Sequence, residues 1–220
     1  MILTGKEIED YLKLADKVPE VQRKKILKLL ELDRVERSRD SFLFFVKQMW
    51  PVFIEGTHHK IMADAFERVA EGKLKRLIIN MPPRHSKSEF ASYLLPAWFL
   101  GKYPEKKIIQ TAHTAELSVG FGRKVRNLVS SEDYQKIFEL KLSSDSKAAG
   151  RWNTDKGGDY FAIGVGGAVT GKGADLLIID DPHSEQEARQ GNPEVYDSVY
   201  ERSEEHTSEL QSRFGISYAV

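Results

Sequence analysis

The stretch that most limits what this chain can become is Leu77–Ser88, LIINMPPRHSKS. Leu77-Ile78-Ile79 is short, apolar and β-branched, which predicts a buried parallel strand. Two prolines follow, then Ser86-Lys87-Ser88, then Glu89–Leu100, rich in residues that suit a helix, with Pro96 as an expected kink. Strand, tight loop, Lys-Ser and helix in that order describe a phosphate-binding loop. Backbone N–H groups there face phosphate oxygens at the positive end of a helix. Lys87 is expected to reach the β/γ-phosphates and Ser88 to hold Mg²⁺. The usual pattern GxxxxGK[ST] has glycine where this chain has Met81 and Ser86. On its own the block therefore also admits a plain strand–helix connection with a solvated Lys87.

A second block narrows the choice. Leu176-Leu177-Ile178-Ile179-Asp180-Asp181 is an apolar strand ending in paired carboxylates. Following a phosphate loop, it reads as the strand that brings one carboxylate to Mg²⁺ and another to the attacking water. Together the blocks predict a nucleoside triphosphatase.

Other segments organise around these two. Thr4-x-x-Glu7 forms a capping box that opens a helix with Ile8, Tyr11, Leu12 and Ala15 on one face. Val21–Leu32 repeats the helical pattern amid a basic cluster, Arg23, Lys24, Lys25, Lys28, Arg34, Arg37 and Arg39, whose interleaved acids favour a solvated face over a nucleic-acid face. Ser41–Trp50 is an aromatic helix stopped by Pro51, and Lys60–Ala70 a helix burying Ile61, Met62, Phe66 and Val69 and ending at Gly72. His58 and His59 precede it; adjacent residues on a helix point apart, so a cap or a lid beside a nucleotide base is expected rather than a metal site. Lys107–Thr111 predicts a second buried strand, Ala115–Val129 a helix turning Leu117, Phe121, Val125 and Leu128 inward, and Tyr160–Gly164 a further strand. Strands alternating with helices imply a mostly parallel α/β sheet flanked by helices. The glycines at 157, 158, 166, 167, 171 and 173 imply tight turns or close backbone approach.

The chain has 33 basic and 33 acidic residues, so no global charge draws it to nucleic acid. With no cysteine, disulfides and thiolate chemistry are excluded. No apolar run approaches the length of a membrane span, and the expected location is the cytoplasm with no membrane partner.

Leu77–Ser88, the run Gly166–Asp175 and Leu176–Pro182, taken in that order, resemble the large terminase subunit of tailed bacteriophages. The likeness covers roughly Phe42 to Tyr200. It implies an ASCE-type P-loop ATPase, with residues 1–55 a helical N-terminal region and 56–201 the ATPase core. It implies ATP and Mg²⁺ as cofactors, with Pro83, Arg84, His85, Ser86, Lys87 and Ser88 around the nucleotide. Ser88 and Asp180 would serve the metal, and Asp181, Lys87 and Arg84 catalysis. Asp181 stands where many such motors have glutamate, and Arg84 lies one position nearer the lysine than the loop arginine of some relatives. The adenine-contacting glutamine that the resemblance leads one to expect upstream has no clear counterpart, and Gln48 or the His58–His59 pair would stand in for it. The implied partners are double-stranded DNA, a portal protein, a small terminase subunit and further copies in a ring. The resemblance implies a nuclease domain that normally follows, which is expected to lie outside these 220 residues. Another P-loop nucleic-acid motor, such as a helicase, and a non-catalytic nucleotide-binding fragment are the alternatives.

Residues 202–220 break the pattern. Arg202–Ser212, RSEEHTSELQS, matches a translated sequencing adapter letter for letter, and Ile216–Val220 matches its continuation. The native frame is expected to stop near Glu201. This leaves a gap beside the Walker B-like strand at 176–180 and makes 202–220 an exposed end with no part in the core.

Overall fold

The computed structural model describes residues 3–144, 148–167 and 173–183, and the backbone of 214–218. Its helices are α1 (Gly5–Ala15), α2 (Glu20–Asp40), α3 (Phe42–Met49), α4 (Thr57–Ala70), α5 (Leu95–Lys102), α6 (Ala115–Val129) and α7 (Glu132–Ile137). Its strands are β1 (Arg76–Ile79), β2 (Lys107–Ala112), β3 (Arg151–Asn153), β4 (Asp159–Gly164), β5 (Leu176–Asp180) and β6 (Phe214–Tyr218). They form one sheet in the order β1-β6-β5-β2-β4-β3, parallel except for the β3–β4 pair. The mixed α/β architecture with a central sheet is therefore as expected, and no described helix is long and apolar enough to cross a membrane.

The N-terminal helices form as their local chemistry dictates. The Thr4 hydroxyl accepts the Glu7 N–H, and the Glu7 carboxylate accepts the Thr4 N–H, completing the capping box. Buried Asp33 accepts the Leu3 N–H at 2.5 Å and the Arg37 guanidinium at 2.7 Å, tying the chain start to α2. The far end of α2 is pinned by the Trp98 indole, which donates to the Ser38 carbonyl. Basic residues of this hairpin find acids, Lys24 with Glu20 and Arg23 with Asp16. Behind it, fully buried Phe42 meets Phe66, Phe90 and Trp98 edge-on at 5.5, 5.6 and 5.6 Å. That cluster is the main core, and it seats α4 and the helix after β1 against the sheet.

Four expectations need correcting. Leu77–Ile79 is not a buried strand: β1 is an edge strand, and Ile78 is 70% exposed. Leu117 and Ile61 also face outward, at 45% and 66% exposure; small Ser118 and Gly122 line the buried face of α6 instead, because β4 approaches too closely for larger groups. The segment after β1 is not a plain kinked helix. Glu89–Leu94 is π-helical, with the Leu95 N–H bonded to the Phe90 carbonyl, and α5 follows with Pro96 in its first turn. Proline lacks an N–H and crowds the carbonyl four residues back; the wider turn relieves both.

The fourth concerns the chain end. Phe214–Tyr218 is not an exposed tail but a strand seated between β1 and β5, parallel to both. The reason lies in the backbone. β1 and β5 otherwise present facing rows of unpaired N–H and C=O groups, and an extended segment satisfies them whatever its origin. Residues 202–213 lie outside the described residues, as do 168–172 of the glycine-rich run. Among the described glycines, Gly166 takes φ 88° in a turn, while a Cβ on Gly158 would lie 2.4 Å from the Pro104 carbonyl oxygen.

Candidate functional site

The carboxyl ends of β1 and β5 converge, and with them the residues that the sequence singled out. Lys87 and Ser88 begin the helical run after loop 80–86. The Lys87 ammonium bonds the Asp181 carboxylate at 2.5 Å. The Ser88 hydroxyl donates to Asp180 Oδ1 at 3.1 Å. Two segments more than ninety residues apart in sequence are thus joined by two neighbouring pairs.

Asp180 is 3% exposed. Burial raises its carboxyl above the ordinary carboxylate range, and the Asp181 charge pushes the same way. Hydrogen bonds from Ser92 and Ser88, and the charge of Lys87, oppose this. Ser92 was missed in the sequence. Its hydroxyl is fully buried and donates to Asp180 Oδ2 at 2.8 Å. The available signal was its spacing, since residues i and i+4 share a helix face, here Ser88 and Ser92.

The loop itself is conformationally strained. Arg84 and Ser86 have φ of 63° and 64°, and Asp181, after β5, has φ 42°. Non-glycine residues avoid this region, at a cost of roughly 1–2 kcal/mol each. Ser86 thus holds a backbone conformation that glycine adopts without strain. The Asp181 carbonyl accepts the His113 N–H at 3.3 Å, which fixes the strand end against β2.

Pro83, Arg84 and His85 are exposed at the mouth of the loop. The His85 Nδ1 lies 2.9 Å from the Pro83 carbonyl oxygen. The His58 ring is 5.7 Å from that of His85 and 3.8 Å from that of His59. The expectation that His58 and His59 point apart is therefore wrong. At a helix start the backbone leaves helical geometry, and His59 turns back to accept the Gly56 N–H on Nδ1 at 2.9 Å. The cap part of that reading holds.

Ser88 and Asp180 supply hard oxygen donors in contact, and the raised carboxyl of Asp180 is what a nearby divalent cation would reverse. Among the described residues no group of three or more His, Asp or Glu is arranged for a metal. The donors present suit an ion that keeps waters and shares phosphate oxygens, which is the habit of Mg²⁺.

No protein-family model and no curated protein matches the chain. Among solved structures, it is similar to the crystal structure of the HK97 bacteriophage large terminase, with 15% sequence identity and a TM-score of 0.47. That similarity covers 82% of this chain and 37% of the terminase chain, so the sequence spans little more than a third of its length.

Proposed function

We propose that this chain is the ATP-hydrolysing part of a DNA-packaging motor of the large-terminase type, built on a P-loop of the ASCE class. The observation that carries the reading is the junction of Lys87 with Asp181 and of Ser88 with Asp180. It puts an ammonium, a hydroxyl and two carboxylates beyond the carboxyl ends of β1 and β5, on a side of the sheet where nucleotides bind in open α/β folds.

In this reading the amides of loop 80–86, with Pro83, Arg84, His85 and Ser86, cradle the phosphates. Lys87 exchanges its Asp181 partner for phosphate oxygens. That exchange releases Asp181 to orient the attacking water and to take its proton. Ser88 and Asp180 would hold Mg²⁺, which supplies charge neutralisation of the β- and γ-phosphates when bound. Ser92 keeps Asp180 aimed at that position by occupying its second oxygen. Arg84, exposed and at positive φ, would serve as the loop cation that stabilises transition-state charge. Double-stranded DNA, a portal protein, a small terminase subunit and sister copies in a ring are the partners this activity would serve, in the host cytoplasm.

ATP turnover by the 220-residue chain, with and without double-stranded DNA, tests the proposal. Lys87→Ala should abolish hydrolysis, and undiminished turnover by that variant would remove the loop assignment. Asp181→Asn should retain Mg·ATP binding and lose turnover, whereas Asp180→Asn should lose Mg²⁺ dependence first. Equal loss of nucleotide binding in both variants contradicts this division of roles. A chain that binds ATP without turning it over would instead be the non-catalytic nucleotide-binding fragment.

A further inference from the structure

The strained turn at 84–86 needs something outside itself to hold it, because positive-φ residues persist only where their surroundings over-determine them. Its side-chain hydrogen bond, from His85 to Pro83, is local to the loop. Beyond the loop, the Ser86 carbonyl accepts the Phe90 N–H, Met81 packs on the main core, and the His85 ring lies edge-on to that of His58, 5.7 Å away. His58 in turn lies on His59, whose ring packs against Phe53 at 4.7 Å and Phe90 at 4.9 Å. Phe90 is fully buried in the main core. A continuous stack thus runs from the core through two histidines to the loop.

The stack has a protonation requirement. A backbone N–H can only donate, so the Gly56 bond to His59 Nδ1 requires that nitrogen to carry no proton. Among the described residues, the buried Nε2 atoms of His58 and His59 have no hydrogen-bond partner, so no described carboxylate is bonded there to receive a charge. We propose that the His58–His59 pair is the positioning element of the nucleotide loop, and that it holds His85 and the 84–86 turn in place only while His59 is neutral, which makes nucleotide affinity sensitive to mild acid. The proposal rests on the nucleotide reading of the loop given above.

The surrounding charges agree with this. His59 is lowered from the ordinary 6.5, by burial first and then by His58, with His85 adding to the effect and Glu55 opposing it. Glu55, on the segment before α4, is already paired with Lys47 and Lys60. The other faces packed on His59 are the apolar rings of Phe53 and Phe90. Because the docked form keeps its imidazole neutral, the unfolded or undocked form binds more protons below 6.5, and docking weakens as pH falls through that value.

The test is Mg·ATP binding by calorimetry across that range, on the full chain and on His59→Gln. Glutamine can still accept the Gly56 N–H, as it does in a capping box, but does not titrate. Affinity of the wild type should weaken about tenfold between about pH 7.5 and about pH 5.5, while that of His59→Gln stays flat. An equal pH slope in both proteins overturns the proposal and leaves the nucleotide reading standing. If neither protein binds nucleotide at any pH, it is the nucleotide reading that fails. Imidazole NMR of the nucleotide-free chain then decides the histidine coupling. His85 signals should follow the His59 titration in the wild type and lose that inflection in His59→Gln; His85 signals indifferent to His59 would overturn it.

Discussion

β1 and β5 carry nearly the same apolar letters, Leu-Ile-Ile and Leu-Leu-Ile-Ile, and both end at the candidate site, yet they are buried in opposite ways. Every residue of β5 is buried. Leu176 and Ile178 face the main core, while Leu177 and Ile179 face a second cluster with Ile109 and Ala174. In β1 only one side is covered: Leu77 and Ile79 pack on the main core, and Ile78, on the opposite face, stands 70% exposed. Composition and period made both strands recognisable. Position in the sheet decided how much each one buries, since an interior strand has neighbours on both edges and packing on both faces. The lesson is that an apolar run predicts a strand more safely than it predicts a core.

The sharpest way to break this comparison is to remove the strand that lies between the two. Deleting residues 202–220 strips β6 from both β1 and β5, exposing backbone along each. At about 0.5–1.5 kcal/mol per hydrogen bond, the two ladders are worth roughly 4 kcal/mol. The thermal midpoint should then fall by on the order of 10 °C, using roughly 2–4 °C per kcal/mol for a chain of this size. The tail's origin argues for no change at all, and a shift below about 2 °C would mean that β1 and β5 do not need a strand between them. The next effect compares like with like. Ile178→Ala, at a fully buried site, should cost about 3 kcal/mol, and Ile78→Ala no more than about 0.5 kcal/mol. Comparable losses in denaturant unfolding would show that β1 is covered on the face that appears open.

What was legible follows the same division. Local rules were sufficient for the capping box at Thr4–Glu7, the aromatic α3, the parallel sheet and the residues at the strand ends. The structure brings Lys87 to Asp181 and Ser88 to Asp180, residues that the sequence reading had singled out for phosphate, metal and water rather than for one another. Apart from the π-helical turn that Pro96 imposes locally, the misses are tertiary. Ile61 and Leu117 fit their helical stripes but face outward, because the stripe fixes a face and not which part of it meets a neighbour. Ser92 looks like filler until a carboxylate from β5 arrives beneath it. The histidine contact depends on the chain leaving helical geometry at Gly56, which adjacency along a helix does not describe. β6 was unreadable for another reason: it depends on a vacancy between two other strands, which its own letters do not encode.

A smaller effect separates the two strand ends by charge. Asp180 has its carboxyl raised by burial, so its ionised form is disfavoured in the folded chain. For a raised carboxyl, the contribution to stability is full below the ordinary 3.8 and lost as pH rises through the folded value. At neutral pH, without Mg²⁺, ionised Asp180 therefore works against the fold. Asp180→Asn should raise the thermal midpoint modestly, by less than Ile178→Ala lowers it, and the rise should vanish when both are compared near pH 3.8. A fall in the midpoint at neutral pH would mean that the two serine hydrogen bonds outweigh the burial of charge.

The smallest effect concerns strain, which both strand ends carry but only one can relieve without losing chemistry. Ser86, with φ 64°, holds a left-handed backbone that costs a serine roughly 1–2 kcal/mol and a glycine almost nothing. Glycine gives back about 0.5–1 kcal/mol through the greater freedom of the unfolded chain, so Ser86→Gly should stabilise by about 0.5 kcal/mol, or roughly 1–2 °C. The same substitution at Asp181, φ 42°, would also relieve strain but would remove the carboxylate that pairs with Lys87. Measured together, the two variants distinguish a loop in which the backbone alone matters at 86 from one in which the serine side chain contributes. If Ser86→Gly stabilises the chain and nucleotide affinity is unchanged, the loop is a glycine-type cradle that happens to carry serine. If it lowers affinity more than about threefold, beyond what a change of roughly 0.5 kcal/mol produces, the hydroxyl of Ser86 takes part in binding, and the departure from the glycine pattern is then functional.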